Sequence, residues 1–450
     1  MDLDAILSLA LRRGAAQSEV FAVESVETPV RFEANRLKGI DARRTSGVAL
    51  RLITPAIGGS ASGGGGRIGF ASSTKPLDGE AIEELVAAAL ETAPFGPEAR
   101  FDFPGKSEAP AVAVFDPAIE SAALDGMIET GKSVIDAVRR AEPELLCDAQ
   151  VRRSVQTVTL ANSNGGGASY RRSLYSVGVQ GTLIRGTDML FVGDVEASCR
   201  PDLDLAALTA SVVSQLEHSR RMATVRTGEL PVIFTPLGVA GALAMPLSLA
   251  FSGRMVHLGQ SPLAGCLGKE MYDRRVSVWD DATLAYRPGA RPFDDEGVPS
   301  RRVALIERGV VSAFLYDLQS AGLAGAQSTG SAGRGLTTQP SIANSCLVIG
   351  EGEARFEEMV RGIKEGLVVE DLMGAGQGNV IGGDFSGNVL LGYKIENGEI
   401  VGRVKDTMVA GNVHEALRRL VAIGSEGRWV GGSLFTPPLW FEGLTVSAKG

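Results

Sequence analysis

Histidine is the scarcest chemistry-bearing residue in this 450-residue chain: only His218, His257 and His414 occur, and none is spaced to share a helix face with another. A zinc helix that mounts two imidazoles a turn apart therefore has no candidate, and a His-based site would need ligands from distant parts of the chain. Cysteine is nearly as rare. Cys147, Cys199, Cys266 and Cys346 are widely separated and form no C-x-x-C, which argues against both a disulfide framework and a zinc knuckle and suits the cytoplasm. No Lys/Arg block exceeds a pair and the net charge is -9, so the chain lacks the basic footprint of a direct nucleic-acid partner. The opening Met1-Asp2-Leu3-Asp4 is acidic where a secretory signal needs basic residues, and Arg12-Arg13 breaks the apolar part.

Long hydrophobic runs are also missing, with one exception. Residues 230–253 carry no charged side chain, yet Pro231, Pro236 and Pro246 interrupt them and no second such run exists to complete a membrane bundle. Pro231 and Pro236 bracket Val232-Ile233-Phe234, which reads as a buried strand; the Ala/Leu-rich stretch from about Leu237 reads as a central, buried helix of a soluble protein.

Around that run, 44% hydrophobic and 22% charged residues describe an ordinary globular chain long enough for about three domains. Residues 3–13 space Leu3, Ile6, Leu7 and Leu11 on one helix face, and alternation over residues 20–53 predicts antiparallel strands. The glycine-rich residues 58–66 read as a turn between strands. A helix follows from an Asp78 N-cap to Thr92, closed by Pro94, and proline-rich residues 96–117 read as a linker or an extended crossing segment. The same order recurs: a helix over 116–140, strands over 147–197, a helix over 202–222. Residues 35–53 and 162–184 even share an Arg pair followed by a Val-flanked Gly, as an old duplication would leave. From residue 224 the pattern becomes short strands between glycines, with Asn397-Gly398 a hairpin signal. The expected fold is α+β: two α-β-α modules, residues 1–110 and 111–223, followed by a larger, mainly antiparallel β-rich domain, residues 224–450.

Several motifs have plainer readings than their letters suggest. Gly126-Met127-Ile128-Glu129-Thr130-Gly131-Lys132-Ser133 fits the phosphate-loop pattern, but Ile119, Ala123, Met127, Val134, Ile135 and Val138 run through it at helical spacing, and no buried strand precedes it. Nucleotide binding there is a minor alternative. His414-Glu415-Ala416-Leu417-Arg418 begins like a zinc helix whose second His never arrives, which leaves His414 on a surface helix. The glycine runs at 330–335 and 374–378 favour turns or close backbone packing over dinucleotide loops. Asp280-Asp281 and Asp294-Asp295-Glu296-Gly297 read as solvated turns in preference to cation sites.

Longer phrases carry a family resemblance. Asn35-Arg36-Leu37-Lys38, Thr45-Ser46-Gly47-Val48, Gly69-Phe70-Ala71-Ser72, Gly253-Arg254-Met255-Val256, Phe293-Asp294-Asp295-Glu296-Gly297-Val298-Pro299, Gly383-Asp384-Phe385-Ser386, Gly392-Tyr393-Lys394-Ile395-Glu396-Asn397-Gly398, Val409-Ala410-Gly411-Asn412 and Phe441-Glu442-Gly443-Leu444-Thr445-Val446 fall in order along nearly the whole chain. Together they resemble the TldD/PmbA family, once called modulators of DNA gyrase and now regarded as metallopeptidase subunits. The resemblance implies a three-part chain. In the TldD-like branch a helix carries H-E-x-x-x-H, the histidines holding the metal and the Glu acting as base, and a Cys near the C-terminus can complete the site.

Aligned on Gly253, this chain has Ala244 and Leu249 at the ligand positions and Met245 at the base, Pro246 sits inside the helix, and no Cys follows Cys346. It therefore resembles the PmbA branch, also called TldE. The implied role is a non-catalytic subunit that binds no cofactor itself, pairs with a metal-bearing TldD-like subunit, helps enclose unfolded or linear peptides, and forms a homodimer when alone. Two alternatives stand beside it: a peptidase active in its own right, for which His257, Asp384 and Ser386 are the residues to test, and the nucleotide-binding reading at Gly126 to Ser133.

Overall fold

The computed structural model describes residues 2–55 and 66–449, so the glycine-rich turn expected at residues 58–66 lies, apart from Gly66, outside the described residues. Alternation in the first half produces long strands. Gln17–Glu33, Arg36–Ile40, Arg43–Ile53, Ile68–Ser73, Leu146–Asn162, Gly167–Arg185 and Asp188–Ser198 form one antiparallel sheet. Both α-β-α modules contribute to it, because Gln17–Glu33 pairs with Leu146–Asn162 from Glu19↔Asn162 to Phe32↔Ala149. Residues 96–116 cross between the modules as an extended segment and are pinned: Phe103 and Val114 are buried, and Asn162 Nδ2 donates to the Pro104 carbonyl at 2.9 Å.

Helices Leu3–Arg12 and Gly79–Thr92 pack on strands of the first module, Leu124–Ala141 and Leu205–His218 on those of the second. Asp78 caps its helix by accepting from the Ala81 N–H at 2.9 Å, and Pro94 falls in the 3-10 turn Ala93–Phe95 that ends it. The helix expected over 116–140 is two helices, Pro117–Glu120 and Leu124–Ala141. Arg153 holds the break by donating to the carbonyls of Glu120 at 2.8 Å and Ala122 at 2.6 Å.

Gly126 to Ser133 lie inside the second of these helices. Gly131 packs so closely on Phe32 that a Cβ would meet its ring at 2.2 Å, and exposed Lys132 pairs with Glu129 at 2.8 Å. A phosphate loop needs free backbone N–H groups at a strand-to-helix turn, so the nucleotide-binding reading is corrected.

The C-terminal half is β-rich, giving the expected α+β fold. Gly228–Phe234, Glu365–Met373, Asp384–Glu396, Thr407–Asn412 and Leu439–Ala448 close into a barrel, because Glu365–Met373 pairs with Gly228–Phe234 on one side and Asp384–Glu396 on the other. A six-stranded sheet containing Val278–Asp281, Arg302–Glu307 and Leu347–Ile349 packs beside it through a shared core. Val232, Ile233 and Phe234 are all fully buried, as a strand covered on both faces requires.

After that strand the uncharged run turns into a broken helix, Pro236–Ala242 and Ala244–Ala250. Pro236 starts it at a position where a missing N–H costs nothing. Pro246 has no N–H for the Ala242 carbonyl, and the regular helix is interrupted at Leu243. Val239, Leu243, Leu247 and Ala250 enter the core, but Met245 is 56% exposed and Gly241 is open as well. The expectation of a wholly buried helix is thus corrected to a helix with one uncharged face outward. Among the described residues no helix is long and apolar enough to cross a membrane.

The acidic stretches are not solvated turns. Asp280 and Asp281 are buried in the strand Val278–Asp281, where Asp280 accepts from the Ser345 N–H and hydroxyl at 2.8 and 2.7 Å. Asp294 accepts from the backbone N–H groups of Glu296, Val298 and Ala332. Glu296, 1% exposed, meets Arg51 of the first sheet at 2.6 Å; Arg51 also pairs with Glu19 at 3.1 Å, and Glu19 with Arg334 at 3.0 Å. Local polarity had suggested solvent, but partners from remote strands exclude it.

Burial raises Glu296 to about 7 against the lowering effect of Arg51, with Asp294 and Asp317 adding to the rise; burial likewise raises Asp294 to about 6. A carboxyl whose folded pKa lies above its unfolded value binds more protons in the folded state across that interval. Its stabilisation is complete below the unfolded pKa and is lost as pH rises through the folded one. The thermal midpoint is therefore expected to carry a component that falls as pH rises from about 5 to 7. Glu296→Gln should flatten that component in a melting series across the same range; an unchanged slope would contradict the assignment.

Candidate functional site at the broken helix

The broken helix brings Ala244, Met245 and Leu249 against the turn that leads into Asp384. Thr235 caps its start, its hydroxyl accepting from the Gly238 N–H at 3.4 Å. The segment Ala244–Ala250 packs against the 3-10 turn Val380–Gly382, touches the helix Val413–Arg418 and leads into the helix Gly253–His257. Ala244 and Leu249 are half-buried. The sulfur of Met245 lies over the 374–378 glycine loop, 3.5 Å from where a Gly376 Cβ would stand.

His257 ends its short helix exposed to solvent. Asp384 and Ser386 lie two apart on Asp384–Glu396 and so share a face, Asp384 exposed and Ser386 half-buried. Among the described residues no hydrogen bond links His257 to either of them, so the three are not joined as a nucleophile, base and orienting acid. Asp384 instead accepts from Asn412 Nδ2 at 2.8 Å, while Asn412 Oδ1 caps the next helix through the His414 and Glu415 N–H groups.

The histidine that the fold brings to Asp384 is His414, which corrects its placement on a surface helix: it is 4% exposed. Its Nδ1 stands 2.8 Å from the Tyr272 hydroxyl, and its Nε2 has no partner among the described residues. The ring presses on Gly383, whose φ of +97° and ring contact at 2.4 Å from a notional Cβ both require glycine. Burial pushes the imidazole pKa down to about 4, assisted by Arg418 and opposed by Asp384, so His414 is neutral at pH 7. The available signal was Asn412, a good N-cap, followed by Val413, Ala416 and Leu417, which turn this six-residue helix inward.

These residues do not fit a catalytic metal. Ala244 and Leu249 have no lone pair, Met245 offers only a weak thioether, and the Asp384 carboxylate is engaged by Asn412. Among the described residues no three His, Cys, Asp or Glu side chains converge with metal-binding geometry. Cys147, Cys199 and Cys346 are buried elsewhere, and burial raises each pKa to about 11 or 12; half-buried Cys266 joins no group of three metal-binding side chains among the described residues. The arrangement can present an uncharged surface beside a glycine-rich loop, with Asp384 and Arg254 exposed around it.

Comparison with known proteins gives the same location a context. A family model described as the PmbA/TldA metallopeptidase C-terminal domain matches residues 227–448, and one described as PmbA/TldA metallopeptidase domain 1 matches residues 18–93. The chain is 27% identical over 375 residues to the metalloprotease PmbA homolog of Haemophilus influenzae, covering 79% of this chain and 78% of that one. A metalloprotease TldD homolog of the same organism is 26% identical over 202 residues, 41% of each chain. Among solved structures, TldE from Thermococcus kodakarensis has the same fold with a TM-score of 0.87 at 22% identity, covering 99% of this chain and 100% of that one.

Proposed function

The chain belongs to the PmbA/TldD metallopeptidase family, and from that premise we propose that it is the non-catalytic, TldE-like subunit of a heteromeric peptidase. The observation that carries this reading is the helix: Ala244, Met245 and Leu249, all on the segment Ala244–Ala250, occupy the ligand and base positions implied by the family pattern, and the helix is interrupted at Leu243 just before them. The metal belongs to a TldD-type partner. This chain supplies architecture and one wall of the cleft in which unfolded or linear peptides are cut. It binds no metal itself, works in the cytoplasm, and forms a homodimer when the partner is absent.

Two features support peptide contact. The outward face of the broken helix has no charge to select among side chains. A groove of about 670 Å³ lined by Trp279, Arg302 and Arg308 offers an aromatic ring and two cations to an extended peptide. Haemophilus influenzae carries relatives of both the PmbA and TldD types, which is the pairing a two-subunit enzyme needs.

Purification of the tagged chain from its own cells tests the partnership. The expected result is a second chain of similar length, bearing H-E-x-x-x-H, in stoichiometric amount. Recovery of the chain without such a partner, or with zinc held by residues of its own broken helix, would overturn the proposal.

A further inference from the structure

A different cavity, away from the helix positions just discussed, contains an arrangement that neither architecture nor the peptidase reading uses. It measures about 230 Å³ and is lined by Ser214 and His218 of Leu205–His218 together with Thr235, Glu370, Tyr393 and Arg428. A second cavity of about 310 Å³, lined by Gln215, Leu237 and Asp371 among others, also reaches Glu370.

Glu370 is held there by the sheet. The pairing of Glu365–Met373 with Asp384–Glu396 passes from Val369↔Gly392 to Asp371↔Leu391, leaving Glu370 as the extra residue of a bulge. The parallel pairing with Gly228–Phe234 ends at Val369↔Phe234, so one strand of the parallel pair finishes beside this carboxylate while the other continues past it. Bulges re-aim side chains, and ligands commonly sit beyond the carboxyl ends of parallel strands. Among the described residues only the Thr235 hydroxyl donates to Glu370, at 2.7 Å. Burial raises its pKa, and although Thr235 and Arg428 oppose the rise, Asp194 and Asp371 add to it. Arg428 is itself committed to the buried Asp194 at 2.8 Å.

Tyr393 provides the second, independent sign of a ligand. It is 1% exposed, lines the same cavity, and its hydroxyl has no hydrogen-bond partner among the described residues. Ser219 gives its own proton to the Gln215 carbonyl at 2.7 Å; its oxygen faces Tyr393 and opposes the burial that raises the phenol pKa, without reaching hydrogen-bond geometry. The His218 ring lies against Tyr393 with centroids 5.0 Å apart. A buried hydroxyl left unpaired costs stability, and a half-buried carboxylate with one donor is short of positive charge.

We propose that this cavity binds the protonated primary amine of a small ligand, which donates to the Glu370 carboxylate and the Tyr393 oxygen while its carbon chain lies along Val368, Ile400 and Pro438. An ammonium supplies what the site lacks: positive charge and several N–H donors on one atom. An anion would meet Glu370, Asp371 and Glu426, and a metal ion would find no convergent set of ligands among the described residues. A free amine and the N-terminus of a short peptide share this chemistry. Neither requires a partner subunit.

The test is calorimetric titration of the full chain with butylamine, with trialanine and with N-acetyl-trialanine near pH 7. Saturable binding of butylamine alone identifies a free-amine site; binding of trialanine but not its acetylated form identifies a peptide N-terminus; either supports the proposal. Glu370→Gln should weaken that binding at least about tenfold. Tyr393→Phe, which removes only an oxygen unpartnered in the free chain, should weaken it about fivefold and serves if the first variant does not fold. Absence of binding by both amines, equal affinity for the acetylated peptide, or unchanged affinity in a folded variant would overturn the proposal.

Discussion

At about pH 8, above the raised pKa of Glu296, Arg51→Leu is expected to lower the unfolding free energy by about 3–5 kcal/mol, because it removes the cation shared by two fully buried carboxylates. Arg51 stands between Glu19, its cross-strand neighbour, and Glu296 of the C-terminal half, with its guanidinium 5.0 Å from the ring centres of both Phe101 and Phe103. Without it Glu19 keeps Arg334, but among the described residues Glu296 retains only the Leu318 N–H at 2.7 Å. Burial alone would lower the Arg51 pKa; Glu19 and Glu296 together raise it instead, so the guanidinium is charged at every pH at which the protein is studied.

The loss is a large share of the stability of an ordinary domain. Urea unfolding measures it, as a fall in midpoint at constant slope. Arg13→Leu is the contrast, since its pair with Glu83 is exposed and such pairs contribute about 0–1 kcal/mol. Equal costs for the two substitutions would mean that burial at the junction is not what gives Arg51 its effect.

How far the sequence disclosed this fold depended on the range of the interactions involved. Asp78 as a cap and Asn397-Gly398 as a hairpin turn were legible because each acts within a few residues; Asn397 and Gly398 take φ of +51° and +82°, as the tight turn between Asp384–Glu396 and Glu399–Arg403 requires. The common sheet of the first two modules was not legible. It depends on pairing Glu19 with Asn162, and no local signal chooses that partner. Burial of Asp294 and Glu296 was hidden for the same reason, because the compensating Arg51 lies 245 residues from Glu296. At the candidate site, the loss of ligands at Ala244, Met245 and Leu249 could be read from residue types alone. The inward turn of His414 onto Tyr272 could not, since that contact spans 142 residues.

The second large effect concerns activity. A peptidase zinc lowers the pKa of its bound water to near 7 and polarises the substrate carbonyl, and peptide hydrolysis at neutral pH depends on both. A chain whose corresponding helix presents two hydrocarbon side chains and a thioether has no means of doing either at that position. The rate difference expected between this chain alone and its complex with a TldD-type subunit is therefore at least about 10³-fold, the scale on which loss of a catalytic centre acts. Among the described residues no hydrogen bond joins His257 to Asp384 or Ser386, and Asp384 is held by Asn412.

Hydrolysis of an unfolded polypeptide by the zinc-loaded chain, measured alone and after mixing with a TldD-type subunit, tests this account most directly. The account predicts background cleavage by the chain alone and rapid cleavage by the mixture. Equal cleavage by the two, with zinc bound to the isolated chain, would contradict it.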